Sequence, residues 1–528
     1  MNRNKKITVS DVLSYVFDGE SDFNDTDDSD NEFYNENDTA NTAIEEDSDN
    51  EPLANIASRL SKNLKETTNN PNKNKPSTYK WKSKNFEPLD DVTFKEPEMK
   101  PTPNVETTPF EYFKLFVSDN MLNSITNESN IYILQSKGSE KNISKKDIEK
   151  FIGAYLRMGL VKLPSQRSYW ETFMTYNGVS SIMGRNKFET ILRNIHFVNN
   201  LEISKEEKAD DRVWKLRTWI TELRNNFQKV SPEEFHAVDE IMVPFKGKSL
   251  LRQYLPKKPH KWGFKLWGRS GISGFLYDFD IYQGKSKNNS DTSLGVSADV
   301  VIYMTSSLPD KHNFKVFADN YFTSLPLIVE LRKRNIYYVG TIRDKRMKKC
   351  PLLLEKDLKK QGRGAYDFRV EQESNVVAVR WYDNKPVNLV SSYVSIEPLH
   401  TVRRYDRSLK KKIDVKQPNI VHVYNQYMGG IDKLDMMCAL YKPRLRTRRW
   451  YIYIWFHTIQ IAVVNAWFLY RRDLKICRPD TKFMQLQCFI AEVAESLIKV
   501  TSSRGRPSLD NITQPPKKLC SGSRKSFQ

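Results

Sequence analysis

Between Glu234 and Arg343, short apolar runs alternate with helix-like ones, and that alternation limits the possible folds more than any other feature of the chain. EFHAVDEIMVPF is short, apolar and partly β-branched. KLWGRSGISGFLYDFDIYQG reads as two strands around a Gly/Ser turn, and FKVFADNYF and IYYVGTIR as two more. Residues 296–308 have helical texture, as does SLPLIVELRKRN, where Ser324 suits an N-cap before Pro326. Strands interleaved with helices predict an α/β layer with some parallel pairing.

The flanks read differently. Residues 106–234 place aromatic and aliphatic residues at helical spacing, as in TPFEYFKLFVSDNMLNSI and KKDIEKFIGAYLRMGL, and predict an all-helical block. Residues 235–345 carry the α/β rhythm. Residues 346–418 interrupt it with strands such as YDFRVEQ, NVVAVRWYD and PVNLVSSYV, which suggests an inserted β-rich subdomain. Helices return at 419–440 and 441–500. Residues 1–105, acidic and then basic, and the basic tail 501–528 have too few apolar groups to offset ordering entropy and are expected to be disordered.

The formal net charge is +19, unevenly spread. Asp11 to Glu51 holds 16 acidic residues and no Lys or Arg, so the remainder carries +35. A body this basic points to a polyanion, nucleic acid being the commonest; a solvated basic surface is the plainer alternative. The cluster from Lys73 to Lys84 suits a nuclear import signal, and the expected location is the nucleus. The five cysteines include no close pair, which excludes a disulfide framework and a Cys-x-x-Cys zinc site. The run YIYIWFHTIQIAVVNAWFLY at 451–470 is apolar enough for a membrane. His457, Gln460 and Asn465 within it favour a buried helix of a water-soluble domain, with no membrane partner.

Three aspartates fall at suggestive places. Asp239 lies in HAVDEIMVPF, pointing opposite Val238. Asp319 ends FKVFAD before a turn. Asp432 follows Gly429 and Gly430 in a helical run, with Asp435 on the same face one turn on. Phosphodiester cleavage and strand transfer need divalent cations to activate the attacking oxygen and stabilise the leaving one. Mg²⁺ takes hard oxygen ligands, so a few convergent carboxylates suffice. Singly, an Asp at a strand end is more often a turn or cap residue.

The words around these residues are VDEIMVPFKGK, YLPKKPHKWGFKLWG, FADNYFTSLPL, YNQYMGGIDKLD and RTRRWYIYIWFHTIQIAVVNAW. In this order they resemble the piggyBac transposase family over about residues 108–500, and among its members the host-encoded transposable element-derived proteins. The resemblance implies an RNase H-like catalytic core with a β-rich insertion, flanked by a helical dimerisation and DNA-binding domain. It implies Asp239, Asp319 and Asp432 as the catalytic triad holding two Mg²⁺, with Asp435 as an auxiliary ligand. It also implies double-stranded DNA with TTAA sites as substrate and a homodimer on DNA.

Lys257, Lys258, Lys261 and Lys265 lie on a Pro/aromatic-rich stretch suited to gripping phosphates. Arg444, Arg446, Arg448 and Arg449 beside Trp450 combine phosphate contact with a stacking surface, and the resemblance matches Trp450 to the family's tryptophan near the DNA end. Without the resemblance, Trp450 reads as a core aromatic of the next helix. The family's transposases usually end in a cysteine-rich zinc domain. Here only Cys520 lies in the tail and no His follows His457, so no zinc is expected. Arg504-Gly505-Arg506-Pro507 resembles a minor-groove AT-hook core. Two functions remain open: a metal-dependent transposase-like nuclease, and a non-catalytic DNA- or chromatin-binding protein with the same fold.

Overall fold

The computed structural model describes residues 79–499, apart from breaks at 88, 90, 98–106, 139–141, 257, 259, 285–293 and 445–446. Expectations for residues 1–78 and 501–528 therefore lie outside the described residues. Helices α1 (Pro109–Phe116), α2 (Asp119–Lys137), α3 (Lys145–Leu160), α4 (Asn177–Ser180), α5 (Arg185–Asn194), α6 (Lys205–Asp210) and α7 (Arg217–Gln228) precede the main sheet. After strands β1 (Trp81–Lys82), β2 (Phe235–Pro244), β3 (Arg252–Tyr254), β4 (Trp262–Gly271) and β5 (Leu276–Ile281) comes α8 (Val296–Thr305). Next are β6 (Lys315–Ala318), α9 (Leu325–Lys333), β7 (Tyr337–Thr341) and α10 (Glu355–Gln361). Strands β8 (Tyr366–Glu371), β9 (Val377–Tyr382), β10 (Pro386–Ser391), β11 (His400–Asp406) and β12 (Lys411–Gln417) follow. The last helices are α11 (Asn419–Tyr427), α12 (Gly430–Leu440), α13 (Trp450–Cys477) and α14 (Leu486–Lys499).

One 10-stranded sheet runs β1-β8-β9-β10-β7-β6-β2-β4-β3, with β5 also on β4. The pairs β2–β6 and β6–β7 are parallel, as the interleaved helices require, and the others are antiparallel. Ser324 caps α9 as expected, its side chain accepting from the Leu327 N–H.

Two expectations need correction. The region 346–418 is not a separate β subdomain throughout, because β10 pairs with β7 and so β8–β10 extend the central sheet. Only β11 and β12 form a sheet of their own. Residues 79–97, expected to belong to a disordered region reaching 105, bind along the sheet. Trp81 pairs with Glu371, the Asn313 side chain donates to Thr93 O at 2.8 Å, Lys315 Nζ donates to Val92 O at 2.7 Å, and the Phe94 ring meets Phe314 edge-on at 5.2 Å. Aromatic anchors spaced through a polar segment do this without local periodicity, since all their partners are distant in sequence.

The helical parts before and after the sheet form one body. Tyr112 of α1 donates to Asp473 of α13 at 3.2 Å, and Arg157 of α3 pairs with Glu495 of α14. Helix α13 is long and apolar enough to cross a membrane, yet 94% of its most apolar window is buried inside this body. Two of its polar residues bond to neighbouring elements there, whereas the buried His457 and Gln460 side chains have no hydrogen-bond partner among the described residues. Thr458 accepts from Trp219 Nε1 at 2.9 Å, and Asn465 both accepts from Leu276 N–H (2.9 Å) and donates to Leu276 O (2.8 Å), closing the edge of β5.

Candidate active site

Strand alternation and register bring the first two aspartates together. Val238 and Ala318 are partners on the parallel strands β2 and β6, so Asp239 and Asp319 are the next residues on neighbouring chains. Val238 and Ala318 pack in the core beneath α8 and α9. Phe317 packs with Ile420 and Val421 of α11, and Ile241 with Ile431 and Leu434 of α12. Period-two alternation therefore turns Asp239 and Asp319 to the face that α11 and α12 cover.

Two glycines let α12 come close there. Gly268 is the β4 partner of Asp239, and a Cβ on it would stand 2.9 Å from Ile241 Cδ1 and 3.1 Å from Ile431 Cδ1. A Cβ on Gly430 would stand 2.5 Å from Gly271 O. The helix thus starts directly on β4, with Asp432 in its first turn and Asp435 one turn further.

Burial raises Asp239, Asp319 and Asp435, and neighbouring carboxylates add to the rise. Asp239 is pushed up to about 7 by burial, with Asp319 and Glu240 adding to the rise; its bond from the Glu240 N–H (2.7 Å) and the charge of Lys258 oppose it. Asp435 is also raised to about 7, mainly by burial, with Asp432 and Asp239 contributing and Lys258 and Lys442 opposing. Burial raises Asp319 as well, against the N–H of Tyr321 at 2.8 Å. Tyr424 of α11, bonded to Thr341, is raised by burial and by the charges of Asp319, Asp239 and Asp432, so its hydroxyl lies within electrostatic reach of all three. Asp432 is exposed. Among the described residues, no three His, Cys, Asp or Glu side chains already stand close enough to hold a metal ion. The donor set still suits a hard cation, since these are oxygen ligands, half-buried in part, that repel one another.

The turn joining β3 to β4 brings in the opposite charge. Leu255 N–H donates to Lys261 O at 2.7 Å, and Lys258 acts on Asp239, Asp319 and Asp435 together. His260 in the same turn is held low by burial and by Lys442 and Lys246, so this turn and the segment before α13 are neighbours. Lys261, Arg444 and Arg448 are exposed. Arg449 donates to the carbonyl of Arg193 at the end of α5. Trp450 opens α13, half-buried against the helical core, with Tyr451 edge-on at 5.8 Å. Lys257, Arg446, Arg504 and Arg506 lie outside the described residues.

Lys265 departs from the expectation of a phosphate grip. It is 3% exposed, its Nζ is 3.0 Å from Glu240 Oε1, and it sits over the rings of Trp267 (3.9 Å) and Tyr321 (4.7 Å). Its charge is satisfied inside the protein, because strand alternation on β4 turns it inward. Sequence reasoning also passed over Tyr424, Lys442 and Gly268, and placed Gly430 only as a neighbour of Asp432. The pair Gly429-Gly430 before Asp432 was a signal of close backbone approach.

Residues 108–467 match the family described as "Transposase IS4", which places the chain in the transposase class. The human PiggyBac transposable element-derived protein 3 is 34% identical over 372 residues, covering 70% of this chain, and the chain spans only 62% of that relative's length. The human PiggyBac transposable element-derived protein 2 is 31% identical over 436 residues, covering 81% of this chain and 72% of that protein. The chain belongs to the piggyBac transposase family. A solved structure described as a piggyBac transposase synaptic complex with hairpin DNA superposes with a TM-score of 0.63 at 21% identity, covering 74% of this chain and 80% of that one, a likeness of fold.

Proposed function

We propose that this protein cleaves double-stranded DNA and transfers its strands at a site made by Asp239, Asp319 and Asp432. Asp435 assists, the substrate is TTAA-containing DNA, and the protein acts as a homodimer in the nucleus. The observation that carries the reading is the register of β2 and β6, which puts Asp239 and Asp319 side by side under the helix bearing Asp432 and Asp435. Two Mg²⁺ ions would be held by these carboxylates and would supply activation of the attacking oxygen and stabilisation of the leaving one. The chain's own residues do the rest. Lys258 balances the acidic group, Tyr424 fills the space beside it, and Lys261, Arg444 and Arg448 meet phosphates leading to it. The structural neighbour's capture with hairpin DNA supports DNA as the partner.

A second reading, a non-catalytic DNA- or chromatin-binding protein, is favoured by one observation: no three acidic side chains among the described residues already form a metal cage. Incubating the full chain with Mg²⁺ and a labelled DNA end separates the two. The first reading expects nicked or hairpin product, abolished by Asp319→Asn with binding retained. Binding without cutting by the wild type selects the second.

A further inference from the structure

The ribbon β11–β12 is the one part of the described sheet structure that stands apart from the central sheet. Its inner residue Val415 is buried, while the opposite face shows Thr401, Arg403 and Tyr405 paired with Lys416, Asp414 and Lys412. The tip adds Arg407, Lys410 and Lys411, all exposed. Arg403 has a loose, exposed partner in Asp414 at 3.8 Å, and Asp406 is occupied in holding the turn, accepting from Ser408 and Leu409 N–H. No carboxylate among the described residues pairs with Arg407, Lys410, Lys412 or Lys416. Tyr405 is 57% exposed within this cationic face.

The position matters as much as the charge. Arg363 donates to Tyr405 O at 3.3 Å and pairs with Asp383, and Arg404 lies 3.7 Å from Asp383, which anchors the ribbon at the turn after β9. β10 is antiparallel to β7 and β9 is antiparallel to β10, so β9 ends on the side of the sheet where β6 delivers Asp319. Those two ends lie three strand spacings apart across the sheet, roughly 14 Å, and β9 runs from the level of Ala318, at Ala378, on to Tyr382, about 13 Å further along the strand.

We infer that this ribbon is a second DNA-holding surface, which takes the phosphate backbone of the duplex as it leaves the active site. The occupant is duplex DNA because a ribbon carrying Arg407, Lys410, Lys412 and Lys416 without carboxylate partners among the described residues, and an exposed aromatic, at the same end of the sheet as the aspartates, complements a polyanion running past them. A two-stranded ribbon also has the width a major groove admits. The inference rests on the proposed DNA partner.

The test measures binding of the full chain to a long fluorescein-labelled duplex across a salt series, comparing wild type with Arg407→Ala/Lys410→Ala/Lys412→Ala. Losing three phosphate contacts should weaken binding at least about tenfold and make the log–log salt slope shallower by about 2.7. The unfolding midpoint should stay unchanged, since all three side chains are exposed. Lys410→Arg/Lys412→Arg should bind as wild type. If the wild type binds and the triple variant matches or exceeds it, the ribbon is not a DNA surface. If the wild type binds no duplex, the proposed function itself fails.

Discussion

Asp239 and Asp319 occupy equivalent positions on adjacent parallel strands, each one residue beyond the paired Val238 and Ala318. Neighbouring parallel strands lie about 4.8 Å apart, so two acidic side chains leave the sheet together on the face covered by α12. Repulsion between them, and the burial that raises both, is the cost of assembling such a site without a cation.

That cost predicts a pH dependence with a definite sign. Asp239 and Asp435 titrate at about 7 in the folded chain and near 4 when unfolded. The folded state therefore holds more protons between these values, and metal-free stability falls as pH rises through the window. From about pH 6.5 to about pH 8 the two carboxylates together should lose roughly 1.6 kcal/mol. His236 and His457, neutral when folded but about half protonated at about pH 6.5 when unfolded, offset part of this and leave a net loss of roughly 1 kcal/mol. Added Mg²⁺ should raise the melting temperature more at pH 8 than at pH 6.5, and Asp239→Asn should flatten both trends. A melting curve indifferent to pH and Mg²⁺ would contradict this.

Gly430 sets the seat of α12. Gly430→Ala puts a methyl group 2.5 Å from Gly271 O, so the helix must lift from β4. A loss of about 1–3 kcal/mol is expected. Cleavage should fall much further than DNA binding. Wild-type stability and activity in this variant would show that the close approach is dispensable.

Asn465 ties the long helix to the sheet. Asn465→Leu strips Leu276 of a donor and an acceptor at a buried strand edge, and about 2 kcal/mol should be lost in urea denaturation. An unchanged midpoint would mean that the edge is satisfied in another way.

The segment containing Trp81 and Phe94 behaves as part of the central sheet domain. Removing residues up to 97 should lower stability and expose the sheet to proteolysis relative to removing residues 1–78. Phe94→Ala, which loses half-buried contact with Phe314, should cost about 2 kcal/mol. Equal melting temperatures for the two truncations would contradict the packing.

How far the sequence could be read follows from the range of each interaction. Strand periodicity and the turn after FKVFAD located Asp239 and Asp319, and the Ser324 cap and the buried α13 followed from local chemistry and from polar residues in an apolar run. What was missed is non-local. Trp81 finds Glu371, and β10 finds β7, across long stretches of chain that no local pattern encodes. Lys265 looked like a surface cation because its neighbours in sequence are basic. Its actual partner, Glu240, lies across the β2–β4 pairing.

Cleavage at this site requires that these carboxylates hold divalent cations jointly. The most direct measurement is a Mn²⁺ titration of the full chain followed by electron paramagnetic resonance, with Asp239→Asn and Asp319→Asn in parallel. Two bound ions per chain in the wild type, and fewer in each variant, are predicted. Wild type and variants binding Mn²⁺ alike, or none binding it at all with DNA present, would contradict the claim.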